Sequence, residues 1–547
     1  MWVSHSEGPL NAHGLCHAIG VDVGSTDLDS QNIPAIETLL GCCLGLVRVE
    51  AFSQTVRPIH YTLKEYLSNN TDLFDSPHSM IAQICLTYLN FQSIRDLSPV
   101  RKLSSALYYS PPKTPFLGYA SCYWGTHARR EMTESVNILA MRLLNRFDKH
   151  VSSGILLSPY RDIWNWGVYW CNTTGFTGLH STAYFGMVDM AVALLDMEQW
   201  DLEATDVAGN TAIWWAATNG HGAMVKKLLE LEDIAPDTAN NEGRTPLSSA
   251  AERGHREIVE MLLKRVDVTP DTADKHGRTP LSWAARFGNE AVVKILLERE
   301  DVATDSADQC GATPLMFAAE NGHGGVVEAL LERIDVTPDS AGRSGRTPLS
   351  LAAARGHEGI VEALLDRIDV TPDSADKYGR TPLSFAAENR GGAIVKILLG
   401  RGDVTPDTSD NDGRTPLSWA AQFGNEDAVK MLLKRIDVIP NTSDKAGLTP
   451  IFWAAESRGG HIVKTLLERE DVAPNIVDKD GRTPLFWAAR FGNVDAVKML
   501  LEREDVAPDT MDKDGRTPLS LAAQFGNEEV SKLLLERTDV TPHQGSE

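Results

Sequence analysis

No stretch of about 18 apolar residues occurs in the chain, and its first residues lack a basic segment followed by an apolar one and a small-residue cleavage site. The first absence excludes a helical membrane span, and the second argues against a secretory leader. Cysteine is scarce and odd in number, with seven residues at 16, 42, 43, 85, 122, 171 and 310, mostly in apolar surroundings such as Leu40-Gly41-Cys42-Cys43-Leu44. That usage predicts reduced core thiols and a cytoplasmic location, with the nucleus as the alternative. Clustered positive charge is also missing. Residues 1–170 carry 13 basic against 14 acidic side chains and the rest 39 against 61, so nearly all of the net charge of −23 sits in the C-terminal part. Neutralising phosphates takes clustered Lys and Arg, so neither nucleic acid nor an anionic membrane is expected as the main ligand, and a protein partner is. No Gly-x-x-x-x-Gly-Lys-Ser/Thr run is present; the nearest, from Gly20 to Thr26, has no lysine and carries Asp22 where a phosphate would be repelled. Nor is there a recognisable Ser/His/Asp or Cys/His motif, zinc-ligand spacing or dinucleotide fingerprint. The chain is expected to be no enzyme and to hold no cofactor and no metal.

What is present is periodicity. A chain of 547 residues exceeds one ordinary core, and glycines at 175, 209, 243, 277, 311, 345, 379, 413, 447, 481 and 515 recur at a strict step of 34. About eleven units follow, each too small to bury its own apolar face without a neighbour. In the unit from Gly277 to Asn289, Thr279 is a good helix cap and Pro280 suits the first helical position, where no N–H is needed. Ala284 and Ala285 admit a second helix at close range, Gly288 can end the first helix in the left-handed conformation, and Asn289 can cap the second. Val292, Val293, Leu296 and Leu297 form the buried stripe of that second helix, which leaves Glu298 and Arg299 outside. The Asp-Val-Thr-Pro-Asp loops that follow predict turns, and the carboxylates of Asp267, Asp271 and Asp274 read as solvated turn residues, not as calcium ligands.

Gly-x-Thr-Pro-Leu, then Ala-Ala, Gly and a Val-x-x-Leu-Leu helix, resembles the ankyrin repeat over residues 175–547. Two departures stand out. The unit is one residue longer than the commonest ankyrin length, and the histidine usual after Thr-Pro-Leu is mostly serine, surviving only as His180 in the degenerate first unit. The histidine bridge of the family is therefore expected at His180 alone. The units at 277 and 413 differ at one of their first 13 residues, Arg286 against Gln422, so differences between copies are informative. They concentrate after the Ala-Ala pair. In ankyrin proteins this part of the first helix lines the concave groove, so the resemblance implies a protein ligand there. Arg253, Arg286, Phe287, Asn321, Arg355, Phe423, Arg490, Phe491 and Phe525 are its candidate contacts, with the phenylalanines as anchors. The alternative for these rings is that they cover a neighbouring helix. Trp283, Trp419, Trp453 and Trp487 read as packing residues.

Ahead of the array, residues 1–75 read as a winged-helix-like segment and 76–174 as a helical region and linker, so the chain is mostly α. Residues 34–44 suit a helix, 46–51 and 56–61 two pairing strands and 62–67 another helix. Ser76-Pro77 opens a helix bearing Ile81, Ile84, Leu86, Tyr88 and Leu89, and 133–147 repeats Val136, Leu139, Leu143, Leu144 and Phe147 at helical spacing. Residues 160–170, with three tryptophans, are expected to plug the open end of the array. The segments Leu15-Cys16-His17-Ala18-Ile19, 55–67 around Arg57-Pro58-Ile59-His60-Tyr61 and Ala120-Ser121-Cys122-Tyr123-Trp124-Gly125 resemble the region after the NTPase core of fungal NACHT-ankyrin proteins, NLR-like signalling ATPases. The resemblance implies a ligand-sensing or regulatory arm, either made alone or following an upstream NTPase module, and leaves open whether Met1 is the natural start. It also implies a nucleotide-sensing role for His60, against which stands a plain half-buried, satisfied histidine. A second function class makes the winged helix a DNA reader in a transcriptional regulator, although residues 36–44 offer no Lys or Arg to phosphate.

Overall fold

The computed structural model describes residues 1–547 except 52, 71–72, 98–113, 158–174, 198–199, 390–391, 458–459 and 538–547. It divides into two compact units, Met1–Lys275 and His276–Glu547. The expected plug at 160–170 lies outside the described residues, as does Cys171.

In the first unit, helices α1 (Trp2–His5) and α2 (Ala12–Ile19) precede α3 (Ile36–Cys42), the strands β1 (Val47–Val49) and β2 (Val56–Pro58), and α4 (Tyr61–Asn69). The strands pair antiparallel with Arg48 opposite Arg57. The helix–strand–strand–helix order expected for 34–67 is therefore present, yet none of α3, β1, β2 and α4 contributes a fully buried residue. The core lies elsewhere. It joins Trp2, Leu15 and Ala18 of α1 and α2 to α5 (Pro77–Leu89), α6 (Gln92–Arg95), α7 (Leu117–Arg130) and α8 (Glu134–Leu144), so residues 1–21 share one core with the helical region beyond position 75. Of the described cysteines only Cys16 and Cys85 are buried, while Cys42 and Cys310 are exposed. The expectation of core thiols fails at Cys42 because α3 meets the core only through half-buried residues such as Leu39 and leaves Cys42 in solvent.

The first ankyrin-like unit, helices Gly178–Phe185 and Val188–Leu195, is built into that same core through Phe176, Phe185, Met190 and Leu194. Gly125 makes this possible. A methyl group there would overlap the Phe185 ring, which instead meets Trp124 edge to face at 5.2 Å. Two buried histidines complete the join. The His180 imidazole donates from Nε2 to the Asn210 carbonyl at 3.1 Å and holds Thr177 through Nδ1, the bridge expected at this position. His150 donates from Nε2 to the Leu89 carbonyl at 2.9 Å and accepts from the Ser152 amide at Nδ1, a set of bonds that suits only the neutral ring.

In the second unit each ladder glycine is followed by a pair of short helices, the first opening at Thr-Pro and the second ending at Leu. Thr279 accepts from the Ser282 amide at 3.3 Å, Gly288 sits at φ +75° and Val292, Val293, Leu296 and Leu297 are buried, all as expected. Asn289 does not cap its helix through its side chain, whereas Asn425 and Asn493 do. The loops differ from the expected solvated turns. Most hairpins before a ladder glycine close on a buried aspartate, although Asp308 is half-buried and Gly342 stands at this place before Gly345; Asp410 Oδ1 accepts from the amides of Asp412 and Arg414, both at 2.9 Å, and Oδ2 from the Trp419 indole at 3.1 Å. Asp376, Asp444, Asp478 and Asp512 repeat the two amide bonds. Asp274, taken above as solvated, is buried too. Hairpin tips also bond to one another, as Asn411 N to Tyr378 O at 2.7 Å, and at Gly379 (φ +79°) a Cβ would lie 2.8 Å from that Asn411 nitrogen.

Three side-chain staples then lace unit to unit. Asp339 and Asp373 accept from the amides of Thr371 and Thr405, at 3.0 and 2.7 Å, in the next unit. His323 and His357 donate to the carbonyls of Arg286 and Glu320 one unit back, and Asn425, Asn493 and Asn527 do the same where asparagine replaces histidine. Arginines such as Arg367, expected to point freely outward, fork onto the carboxylate two residues on (Asp369, 2.8 and 3.0 Å) and donate to the Leu331 carbonyl that ends the preceding unit's second helix (2.7 Å). The hydrogen bond from Arg367 holds the Asp369 carboxyl below its ordinary range.

Two outcomes test these assignments. Asp410→Ala leaves three donors without their acceptor at about 1–3 kcal/mol each, so chemical denaturation is expected to show a loss of about 3 kcal/mol or more, and Asp410→Asn a smaller one. Burial pushes the His150 pKa down to about 4 from an ordinary 6.5. A group that binds its proton more weakly when folded favours the unfolded chain as pH falls. The first unit should therefore hold its full His150 contribution above pH 6.5 and lose it between pH 6.5 and about 4, a slope that His150→Gln should flatten in melting curves.

A candidate interaction surface on the repeats

The side chains that vary between copies sit at the C-terminal ends of the first helices, where the left-handed glycine cuts the helix short and leaves the last turn in solvent. In the second unit Phe287, Phe423, Phe491 and Phe525 remain 40–53% exposed, and Arg286, Asn321 and Arg355 are exposed while Arg490 is half-buried. In the first unit Arg253 is exposed at the end of helix Pro246–Arg253. The phenylalanines are not free rings. Phe287 stacks on Trp283 one turn earlier with centroids 6.0 Å apart, Phe423 on Trp419 at 6.0 Å, and Phe491 tilts against Trp487 at 5.7 Å. Phe287, Phe423 and Phe491 are thus each fixed against their own helix and still partly exposed. The tryptophans behave as packing residues: Trp283 and Trp453 are buried, and the indoles of Trp419 and Trp487 donate to the hairpin carboxylates of Asp410 and Asp478.

The arginine that follows most of the ladder glycines adds a feature that periodicity concealed. Arg346, Phe385, Arg380, Trp419, Arg414 and Trp453 form one stack of alternating guanidinium and ring, with successive spacings of 4.5, 4.0, 4.1, 5.1 and 4.0 Å. Arg380, only 15% exposed in its side chain, is held between two rings and paired with Glu388. Arg355 and Phe423, two of the candidate contacts, meet Arg346, Arg380, Phe385 and Glu388 around a shallow depression of about 420 Å³. A second cluster joins Arg490 to Phe491 at 5.4 Å and to Phe525 at 5.9 Å. Phe287 and Asn321 belong to neither.

His60, to which the resemblance lends a nucleotide-sensing role, is exposed, caps α4 by accepting from the Thr62 amide at Nδ1, and lies against the Tyr61 ring at 4.6 Å. The half-buried alternative is corrected, since the residue stands at the exposed start of α4. Among the described residues one group of metal-type donors is assembled, Glu7 with His78 and His127 in the first unit. No helix of the described residues is long and apolar enough to cross a membrane.

The depression separates two kinds of residue by their energetics. Phe423→Ala removes a half-solvated ring and should cost no more than about 1 kcal/mol, within the range of surface substitutions at such sites. Arg380→Ala dismantles a guanidinium held between two rings and should cost about 1–2 kcal/mol. Equal losses for the two in urea denaturation would contradict this division.

The family model described as ankyrin repeats in three copies matches residues 179–272, 266–340, 334–410, 393–473 and 451–544. No curated protein matches the chain. Helix pairs, hairpin tips and matched segments coincide over more than half of the sequence, and the ankyrin repeat is a protein–protein interaction module. The chain belongs to the ankyrin-repeat family, as a mostly helical repeat solenoid.

Proposed function

We propose that the chain is a non-enzymatic adaptor whose repeats capture a protein ligand at the first-helix ends, and that it serves as the sensing arm of an NLR-like receptor. The observation that carries the first part is the row of exposed phenylalanines, of which Phe287, Phe423 and Phe491 are each held against a tryptophan of their own helix while staying partly in solvent. A ring already immobilised loses little entropy on binding, which is what an interface anchor requires. Arg355, exposed beside Phe423, offers a charge-assisted donor to a carboxylate of the ligand. The ligand on this reading is a protein segment with apolar side chains and at least one acidic group, bound on the concave face of the array in the cytoplasm.

Support for the second part comes from the N-terminal unit. Residues 15–19, 55–67 and 120–125 carry the resemblance to NACHT-ankyrin proteins, and α7, which contains the last of these segments, packs directly against the first repeat. On this reading a ligand event on the repeats is relayed to the helical region, and an upstream NTPase module would receive it.

The test is capture of cellular partners by the purified full chain against the triple variant Phe287→Ala/Phe423→Ala/Phe491→Ala. The variant should retain its helical signal and melting temperature and lose most of the captured protein, and deletion of residues 175–547 should lose all of it. Undiminished capture by the folded triple variant would sink the proposal.

A further inference from the structure

Three residues distant in sequence converge at one end of the N-terminal core. Glu7 follows α1, His78 is the second residue of α5 and His127 lies in the last turn of α7. Their ligand-type atoms all lie within 4.8 Å of one another. His127 is fully buried, Glu7 and His78 half-buried. We propose that Glu7, His78 and His127 bind a divalent transition-metal ion of the zinc type, through two imidazole nitrogens and one carboxylate oxygen, with a fourth position left to water.

The geometry is close to what such an ion takes. The Nδ1 atoms of His78 and His127 stand 2.8 Å apart and face each other. Zinc–nitrogen bonds of about 2.0–2.1 Å in a tetrahedral arrangement place two donors about 3.3 Å apart, so the rings need open by only about half an ångström. The other nitrogen of His127 is already committed. Its Nε2 lies 2.9 Å from the Tyr119 hydroxyl, which accepts from the Glu7 amide at 3.2 Å. With Nε2–H donated to that oxygen, the lone pair of Nδ1 points to His78, the orientation that an outer partner imposes on a ligating histidine. Arg130 pairs with one oxygen of Glu7 at 3.0 Å and leaves the other for the ion. His5 packs edge-on against the His78 ring at 5.5 Å but is not among the donors that converge within 4.8 Å of one another. Imidazole with a single carboxylate suits zinc, cobalt and nickel better than calcium or magnesium, which take oxygen.

Binding would fasten the first seven residues to α5 and α7, the helices at the centre of this core. That gives the N-terminal segment a metal-dependent anchorage which neither the repeats nor the NTPase resemblance requires.

The experiment is zinc titration of the chelator-stripped full chain, followed by calorimetry and thermal melting. About one equivalent should bind and raise the melting temperature. Because Cys42 and Cys43 are a rival source of zinc ligands, the titration is repeated on Cys42→Ser/Cys43→Ser, where binding should persist. Cobalt in place of zinc should show visible ligand-field bands with no thiolate charge-transfer band. Tyr119→Phe should weaken binding about 10–100-fold. His78→Ala should abolish it, and Glu7→Gln, on a loop where folding is not at stake, should weaken it by about tenfold or more. Absence of binding, a thiolate band, or zinc binding unchanged by Glu7→Gln overturns the proposal.

Discussion

A carboxylate closing the hairpin tip, buried at Asp376, Asp410, Asp444, Asp478 and Asp512, is the interaction on which most of the repeats depend. An aspartate such as Asp410 gathers the two amides that turn the chain toward the ladder glycine and, where the next helix carries tryptophan, the indole as well. The tip so formed presents its backbone to the tip of the next unit, and the glycine, in the left-handed region, leaves no side chain in the gap. Burying a charge is costly unless every lone pair is used. Here the acceptor is matched to donors that would themselves be orphaned without it. Asn240 keeps the same two amide bonds in the first unit through its amide oxygen, which shows that the acceptor geometry matters more than the charge.

On that base the inter-unit contacts divide by depth. Small residues and aliphatic stripes fill the interior, while aspartate, histidine or asparagine, and arginine each donate or accept one bond across to a neighbour. Much of the acidic surplus is therefore structural: carboxylates read in sequence as solvent-facing are acceptors for backbone amides and guanidinium forks. The arginine–aromatic stack belongs to the same economy of form. Its arginines occupy the place after the ladder glycine, which most units give to arginine, so comparison of copies directs attention away from them.

The N-terminal region behaves differently because it lacks a repeat. Helix α7 was not anticipated: Gly118, Gly125 and several polar residues weaken its propensity and apolar period. Those same features let Phe185 approach the helix backbone, so tertiary packing prevails over local preference. Conversely, the helix–strand–strand–helix pattern of 34–67 was legible from alternation, yet it packs at the periphery and contributes little to the core.

By itself the sequence determined the ankyrin units, their helix ends and their buried stripes, because 34-residue periodicity, caps and left-handed glycines are local signals repeated many times over. It also marked the row of variable side chains, since near-identical copies make each difference visible. Tertiary structure alone decided which of those side chains meet, as Arg355 and Phe423 do with Arg346 and Arg380 around one depression. It alone brought Glu7, His78 and His127 together. Those convergences rest on packing between segments separated by dozens of residues, and no local pattern in the chain encodes such distances.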